Sequence, residues 1–235
     1  MRLSVVGGGS LLASEGLTEA LTSGVTSLGL SLDAAKIQRL LSYMAMIQKW
    51  NKVYNLTALR EPHEILTHHL LDSLSVIGPL MKHLLSVTAN EAKPSLLDVG
   101  SGGGLPGVVI AICCPDVMVA CVDAVSKKAA FVQQVAANLK LPNLKGVHAR
   151  VETLPGPYDV VCARAFASLP DLVKGSGGAL AEHGVWMAMK GKTPTEEMAS
   201  LPANVKVFHV EPLIVPGLNA DRCLVWMKKQ ASLSA

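Results

Sequence analysis

An acidic residue followed by a glycine-rich loop is the stretch of this chain whose residue types and spacing point most directly to chemistry. Residues 95–107 read SLLDVGSGGGLPG, so an apolar run ends in Asp98 and five glycines follow. Glycine lets the backbone turn sharply and lets a ligand approach it closely, and Pro106 suits the first turn of a helix. The free N–H groups of such a helix start bind ligands at the carboxyl end of a parallel strand. The loop therefore predicts a nucleotide-type binding site.

The spacing within this loop fits two classes of cofactor. The dinucleotide pattern Gly-x-Gly-x-x-Gly is satisfied by Gly102, Gly104 and Gly107. The loop of S-adenosylmethionine enzymes begins earlier, with Asp98 and then Gly100, and a carboxylate at the strand tip suits the cationic methionine end. Asp123 follows the next apolar run, and under either interpretation its two oxygens would accept hydrogen bonds from ribose hydroxyls. A P-loop is excluded because no lysine follows Gly107.

Charged residues at the ends of later strands extend the predicted site. Arg164 and Lys190 each end an apolar run, and Arg222 precedes the last one. Three cations at one sheet edge would suit a polyanion such as RNA. Glu152 follows the third strand, where it could reach the adenine edge or its ribose. The sequence has no metal-ligand spacing and no nucleophile–base set, which fits methyl transfer to an already nucleophilic nitrogen.

Composition favours a globular cytoplasmic protein. Half of the 235 residues are apolar, the formal net charge is +3, and no apolar run reaches the roughly 18 residues of a membrane helix. The five cysteines include no Cys-x-x-Cys pair and are expected to be buried reduced thiols. The mild positive charge permits RNA binding without requiring it.

The elements that must position these residues divide the chain into four parts. Residues 1–30, rich in Gly, Ser, Thr and Leu, are expected to be a flexible extension, and residues 31–94 a helical lobe. Residues 95–229 alternate short apolar runs with helical patterns, which predicts a doubly wound, Rossmann-like α/β sheet. We expect seven mostly parallel strands with an antiparallel edge strand, because a short Pro/Gly/Asn-rich turn joins the last two. Residues 230–235 are a tail.

Within the lobe, the apolar spacing predicts three helices. Ser31 or Asp33 caps the first, and Asn51 and Asn55 would share a face if that helix continues past Trp50. Pro62 opens the second, which carries His69 and Asp72 on one face. The third is expected over residues 76–87 with an interruption at residues 78–79, and a polar linker over residues 88–94. In the sheet region, a helical piece is expected over residues 179–182.

Five stretches together resemble the small-subunit ribosomal RNA methyltransferase G family, also called glucose-inhibited division protein B. They are residues 50–57 (WNKVYNLT), 69–74 (HLLDSL), 98–107 (DVGSGGGLPG), 164–169 (RAFASL) and 189–191 (MKG). The resemblance implies a class I methyltransferase fold. It also implies methyl transfer from S-adenosylmethionine to N7 of one guanine in small-subunit (16S) ribosomal RNA, as free RNA or in the subunit particle. Two features depart from the family: His68 stands where arginine is common, and residues 1–30 have no recognised counterpart.

The resemblance also implies roles for individual residues. Those expected to bind the cofactor are Gly100, Gly102, Leu105, Asp123, Val151, Glu152 and Arg164. Those expected to position the substrate are Asn51, Asn55, Lys190 and Arg222, with His69 and Asp72 on the same side. We expect a monomer that binds no membrane and no metal. Two alternatives stay open: an NAD(P)-dependent oxidoreductase and a non-enzymatic ribosome assembly factor.

Overall fold

The fold is a seven-stranded mixed sheet in a computed structural model that describes residues 8–87 and 93–230. The strands are β1 (Ser95–Val99), β2 (Met118–Asp123), β3 (Leu144–His148), β4 (Tyr158–Arg164), β5 (Leu180–Lys190), β6 (Val205–Pro212) and β7 (Cys223–Lys229). Their order in the sheet is β3-β2-β1-β4-β5-β7-β6. The first five strands are parallel, and β7 pairs antiparallel with both β5 and β6. The predicted doubly wound α/β sheet is confirmed.

Helices precede the sheet and alternate with its strands. The lobe contains α1 (Gly8–Ser27), α2 (Ala34–Tyr54), α3 (Pro62–Ile65), a π-helical stretch (Leu66–Leu71), α4 (Asp72–Leu74) and α5 (Ile77–Val87). The sheet region contains α6 (Gly107–Cys113), α7 (Ser126–Asn138), a 3-10 turn (Val151–Thr153), α8 (Leu169–Ser176) and α9 (Thr195–Ala199). No strand precedes Ser95 in the part of the chain that the structure describes, so its front third is helical as predicted.

The antiparallel pair forms because the connection between β6 and β7 is too short for a crossover helix. Parallel strands need a connection of a dozen or more residues, and only residues 213–222 separate these two strands. β7 inserts between β5 and β6, so β6 is the outermost strand and runs in the direction of β1. This arrangement brings the start of β7 to the same sheet edge as the ends of β4 and β5.

The lobe and one face of the sheet share a hydrophobic core. Buried side chains of α1, α2 and α5 belong to the same cluster as those of α6 and of the sheet, including Leu224 and Trp226 of β7. A second cluster fills the other face, between the sheet and α8. All five cysteines are free and buried, as predicted. Packing of the lobe against the sheet therefore sets the position of every lobe residue relative to the glycine loop.

The expectation of a flexible extension is wrong for residues 8–27, which form α1. Leu21 and Val25, one helical turn apart, are buried in the shared core at 0% and 3% exposure. The Gly-, Ser- and Thr-rich sequence has low helix propensity, and tertiary packing outweighs it. Residues 1–7 of the predicted extension lie outside the described residues. So do residues 88–92 of the predicted linker and residues 231–235 of the predicted tail.

Two local predictions are also wrong. Gly78 and Pro79 do not interrupt the third lobe helix, because they lie in the first turn of α5, where proline is tolerated. The helical piece expected over residues 179–182 is absent, because β5 begins at Leu180. Leu180 pairs with Tyr158 of β4, so ladder formation with a neighbouring strand overrides the local helical pattern.

One helical segment in the described chain, Pro62–Val87, is long and apolar enough to cross a membrane by length and composition alone. Its most apolar window has a mean hydropathy of 1.3, and 56% of that window is buried inside the protein. A buried core helix of a soluble protein meets the same criteria, so one such segment is weak evidence for a membrane span. Leu70, Leu74 and Leu80 of this segment are fully buried in the shared core.

Candidate functional site

Two clefts meet at the glycine loop, one on each side of Gly100. The loop follows β1, and three of its glycines have left-handed backbone angles, with φ of +64° at Gly100, +58° at Gly102 and +87° at Gly104. Side chains other than glycine rarely adopt these angles. At Gly100 a Cβ atom would lie 2.9 Å from the ring of Phe166, so a larger residue there would require this ring to shift. Gly100 is exposed and lines both clefts, so a ligand can approach its backbone from either side.

The first cleft, which we call the strand cleft, lies over the ends of β1, β2 and β3. Its lining includes Asp123, Val151, Glu152 and Phe166, together with Gly100. Asp123 ends β2, and its two carboxylate oxygens accept hydrogen bonds from the N–H groups of Gly102 (3.0 Å) and Val125 (2.8 Å). Each oxygen keeps a further lone pair for a ligand hydroxyl. The strand cleft thus combines apolar walls with two carboxylates, those of Asp123 and Glu152, and with the guanidinium group of Arg150.

The second cleft, which we call the lobe cleft, lies between the glycine loop and the helical lobe. Its lining includes Ile47, Leu56, Thr57, His69, Leu105 and Arg164. The lobe wall comes from α2, from the loop after it and from the π-helical stretch, and Arg164 enters from the end of β4. The lobe cleft is therefore built from segments that are far apart in sequence.

His69 is held neutral on the wall of the lobe cleft. Its Nδ1 lies 3.1 Å from the His68 carbonyl oxygen and its Nε2 lies 2.7 Å from the Thr57 hydroxyl. A carbonyl only accepts, so we assign the proton to Nδ1, and Nε2 then accepts from Thr57. Burial, with a smaller contribution from the nearby Arg164, lowers the pKa of His69 to about 4. Both ring nitrogens are thus engaged, and His69 is not available as a base.

Asp72 binds two arginines at the junction of the lobe and the sheet. Its side chain is buried, with 2% exposure. Oδ2 accepts from Arg164 Nη1 and Oδ1 accepts from Arg222 Nε, each at 2.9 Å. Arg164 Nη1 also donates to the His68 carbonyl oxygen at 2.9 Å. One carboxylate balances two guanidinium groups, so this junction keeps a net positive charge beside the lobe cleft.

Of the six predicted substrate residues only His69 lines a cleft, and the other five, which include Asp72 and Arg222, line neither. Lys190 ends β5 at the expected edge, but its Nζ donates to Glu197 Oε2 (2.8 Å) and to the Ala167 carbonyl (3.0 Å). Asn51 is buried, where it accepts from Thr57 N–H and donates to the Leu59 carbonyl, both at 2.9 Å. Asn51 therefore shapes the loop that lines the lobe cleft.

Asn55 does not share a face with Asn51. The helix ends at Tyr54, and Asn55 is its C-cap with a left-handed φ of 48°. Asparagine tolerates this conformation better than most residues, and the turn it makes starts the loop toward Leu56 and Thr57. The side chain of Asn55 is exposed outside both clefts.

Asp98 lies beneath the glycine loop, and the expectation that it faces a cationic ligand is not met. The side chain is fully buried, and Oδ2 accepts from the Gly107 N–H at 2.8 Å, which fastens the start of α6 to β1. Neither cleft includes Asp98 among its lining residues. Its other oxygen, Oδ1, has no hydrogen-bond partner, and burial raises the pKa of Asp98 to about 7.

Two cleft residues that contact predicted site residues were not singled out from the sequence. Thr57 contacts His69 and the loop after α2, and Phe166 packs on Gly100. Both lie inside the stretches that carry the family resemblance, which is the one signal that could have singled them out.

No group of three or more histidine, cysteine or acidic side chains that could hold a metal occurs in residues 8–87 and 93–230.

Comparison with known proteins identifies the family. A family model described as GidB, rRNA small subunit methyltransferase G, matches residues 36–225. A protein named ribosomal RNA small subunit methyltransferase G from Albidiferax ferrireducens is 61% identical over 220 residues, covering 92% of this chain and 98% of its own. A protein of the same name from a Polaromonas species (strain JS666) is 62% identical over 208 residues, covering 88% of this chain and 92% of its own.

These alignments correct one expectation about the amino terminus. Residues 31–235 are 205 of the 235 residues, or 87% of the chain, whereas 92% of the chain aligns with the Albidiferax protein. Part of residues 1–30 therefore has a counterpart in that relative, in agreement with the packing of α1 into the core.

A solved structure shares the fold. TrmN from Thermus thermophilus aligns with a TM-score of 0.52 and 17% identity, covering 70% of this chain and 53% of its own. At this identity the likeness concerns the fold alone. The family match over most of the chain, two relatives above 60% identity and the glycine loop between two clefts agree, and the chain belongs to the ribosomal RNA small subunit methyltransferase G family.

Proposed function

We propose that this protein transfers a methyl group from S-adenosylmethionine to N7 of a guanine in small-subunit (16S) ribosomal RNA. The observation that carries the proposal is the meeting of two clefts at Gly100, one suited to a nucleoside and one open to a substrate base. The names of the family and of its relatives, which act on small-subunit ribosomal RNA, support the same reaction. They give no support to the alternative of an NAD(P)-dependent oxidoreductase.

The residues of the strand cleft fit the adenosine part of the cofactor. Asp123 has free lone pairs for ribose hydroxyls, and Val151 and Phe166 offer apolar surfaces to a flat base. Glu152, exposed in the 3-10 turn, also lines this cleft and offers a second carboxylate to the adenosine. The left-handed glycines leave the loop backbone uncovered, so that Gly100 and Gly102 can contact the ligand directly.

Arg164 is the residue suited to the carboxylate of the methionine part. It lines the lobe cleft. Its Nη1 donates to Asp72 and to the His68 carbonyl, so two of its five N–H donors are used and three remain. A guanidinium group with free donors binds a carboxylate in two-point geometry. When bound, the cofactor supplies an electrophilic sulfonium methyl group.

The lobe cleft meets the demands of transfer to guanine N7. The N7 lone pair is available without deprotonation. The reaction therefore needs the guanine to be held in position, and it needs no group that accepts a proton. His69, the titratable ring in this cleft, is neutral and fully hydrogen-bonded, which agrees with that requirement. Because positive charge passes from the sulfonium to the guanine ring, the charge in the cleft is conserved, and positioning contributes most of the rate.

Substrate positioning is divided between direct and indirect contacts. His69 lines the lobe cleft, and Arg222 is bonded to Asp72 beside it. These two residues are the candidates for direct contact with RNA. Asn51 and Lys190 act through the loops they hold, since their polar atoms are bonded to backbone groups or to Glu197. We expect the protein to act as a monomer in the cytoplasm, where its substrate is made.

The test is to map the modified nucleotide. The purified protein is incubated with S-adenosylmethionine and either small-subunit ribosomal RNA or small-subunit particles, and the methylated guanine is located by mass spectrometry. We expect one guanine to gain a methyl group at N7. If every guanine N7 stays unmodified in both substrates, the proposed function is wrong.

A further inference from the structure

A basic surface separate from the arginines beside the lobe cleft lies at the opposite end of the strands, where β6 begins and β7 ends. Lys206 of β6 and Lys228 of β7 are direct partners in the antiparallel register, and both side chains are exposed. Directly opposed residues have Cβ atoms about 5 Å apart, and like charges in this position destabilise a strand pair. A pair of opposed lysines is therefore a local electrostatic cost that stability does not explain.

An exposed aromatic ring adjoins these lysines. Phe208 is 39% exposed, and Lys228 Nζ lies 5.5 Å from the centre of its ring. His83 of α5 and Trp226 of β7 support the ring from the lobe side, with centroids 6.5 Å and 6.4 Å from that of Phe208. We call Lys206, Phe208 and Lys228 the lysine–aromatic patch.

The patch continues into a shallow groove of positive character. The groove is lined by Lys206, Lys228 and Lys229 and by Glu182 and His183 from the start of β5. In the described part of the chain, no carboxylate oxygen lies within 4 Å of the amine of Lys206 or Lys228. The charges of these two lysines are therefore available to an external anion.

Protection of a sheet edge does not account for both lysines. Lysine on an outermost strand discourages pairing with other molecules, which would explain Lys206 on β6. Lys228 lies on β7, which has strands on both sides and needs no such protection. The opposed pair and the adjoining ring together call for a binding role.

We infer that the lysine–aromatic patch binds a second segment of the same RNA that carries the target guanine, an inference that rests on the proposed function. Lysines bind phosphates, and an exposed aromatic ring stacks with an unpaired base. Lys228 of β7 is six residues along the chain from Arg222, which directly precedes this strand, or about 20 Å at the rise of a strand. An RNA longer than the target loop is needed to contact both places.

The test compares a long RNA with a short one. Affinities of the full-length small-subunit RNA transcript and of a short hairpin carrying the target guanine are measured across a range of salt concentrations. For Lys206→Ala with Lys228→Ala, we expect the slope of log affinity against log salt to decrease in magnitude by about 1.4 to 1.8 with the transcript. With the hairpin we expect no change, because it does not reach the patch.

A matched variant controls for loss of charge. Lys140→Ala with Lys145→Ala removes two exposed lysines at the β3 side of the sheet and is expected to behave as wild type. Removing Lys206 and Lys228 relieves a repulsion, so the fold is expected to persist. Unchanged S-adenosylhomocysteine affinity by calorimetry checks this, and the single variants replace the double variant if it does not fold.

Several outcomes would overturn the inference. The first is a salt slope that is unchanged with the transcript, and the second is an equal decrease of this slope with the hairpin. The third is a loss of affinity that occurs only with the intact small-subunit particle, which would indicate a ribosomal protein as the occupant. The proposed function fails separately, if wild type binds the transcript through the patch but leaves every guanine N7 unmodified.

Discussion

Asp72 is the residue on which the charge beside the lobe cleft depends. Its buried carboxylate accepts one hydrogen bond from Arg164 and one from Arg222, so it holds the two guanidinium groups in place and offsets the repulsion between them. Breaking a buried ion pair by removing one partner is strongly destabilising for the groups left behind. We therefore expect Asp72 to matter through the arginines it orients rather than through contact with the substrate.

The first prediction concerns Asp72→Asn, which keeps the size of the side chain and removes its charge. We expect the affinity for S-adenosylhomocysteine to fall by about tenfold or more, because Arg164 is no longer oriented toward the ligand carboxylate. Affinity for 5′-methylthioadenosine, which lacks the amino-acid part, is expected to stay unchanged. Calorimetry measures both, and equal losses for the two ligands would show a general disturbance of the fold.

The second prediction concerns pH and Asp98. Burial raises its pKa from 3.8 to about 7, so the folded protein retains a proton that the unfolded chain releases between these values. The stability contributed by this proton is present below about pH 4 and is lost as pH rises through 7. Asp98→Asn has no proton to lose. The free energy of unfolding of wild type relative to the variant should therefore fall by on the order of 1–3 kcal/mol between pH 5 and pH 8.

Urea unfolding of both proteins at the two pH values measures this difference. The comparison with the variant removes the contribution of His69, whose lowered pKa acts in the opposite sense below pH 6.5. A difference in unfolding free energy that does not vary with pH would contradict the assignment of a raised pKa to Asp98.

Among the elements, the π-helical stretch Leu66–Leu71 positions the lobe side of the site. It contains His68 and His69 and leads directly into Asp72. Short π-helical insertions leave backbone groups free of regular helix bonding and often occur at functional sites. Here the His68 carbonyl accepts from both His69 and Arg164, so the element connects the lobe to the end of β4.

The third prediction tests the glycine loop as an element. Gly100→Ala and Gly102→Ala each place a side chain at a left-handed φ, at a cost of about 1–2 kcal/mol. A Cβ at Gly100 would also press on Phe166, whereas a Cβ at Gly102 has no atom within 4 Å. We expect Gly100→Ala to lose more S-adenosylhomocysteine affinity than Gly102→Ala, as measured by calorimetry.

A second substitution separates crowding from strain. Phe166→Ala removes the ring that the new methyl group meets, so Gly100→Ala should cost less affinity in the Phe166→Ala background than in the wild-type protein. If Gly100→Ala and Gly102→Ala lose the same affinity, backbone strain alone explains both and the contact with Phe166 is unimportant.

For the whole molecule, α1 is part of the shared core rather than an appendage. Leu21 is fully buried, and Gly24 lies so close to Leu71 that a Cβ there would meet its side chain at 2.5 Å. The helix α1 thus packs directly on the π-helical stretch that holds His69 and leads into Asp72. Removal of α1 would be expected to loosen the lobe cleft as well as to lower stability.

The fourth prediction is that Leu21→Ala lowers the free energy of unfolding by about 2–5 kcal/mol, the usual effect of a cavity in a packed core. Glu19→Ala, two residues away on the exposed side of the same helix, is expected to change it by less than about 0.5 kcal/mol. Denaturant unfolding of the two variants checks the pair. Similar values for both would mean that α1 is not packed in solution.

The sequence by itself determined the fold class and the location of the glycine loop. Alternation of short apolar runs with helical patterns, glycines after an acidic strand end, and cations at later strand ends are all local patterns, readable within a few residues. The turn between β6 and β7 likewise predicted the antiparallel pair from its length alone. The motif around Trp50 and the one around Arg164 then distinguished the family, which the glycine loop could not do.

Only the tertiary structure decided which charged groups meet. Asp72 is 92 residues from Arg164 and 150 residues from Arg222, and Lys190 is drawn away from the clefts by Glu197. No periodicity relates such distant positions, because their contact depends on how the lobe packs on the sheet. The same packing buried Asp98 beneath the loop and turned residues 8–27 into a helix. The loop therefore indicated what class of ligand to expect, and the packed lobe decided which side chains line the lobe cleft beside it.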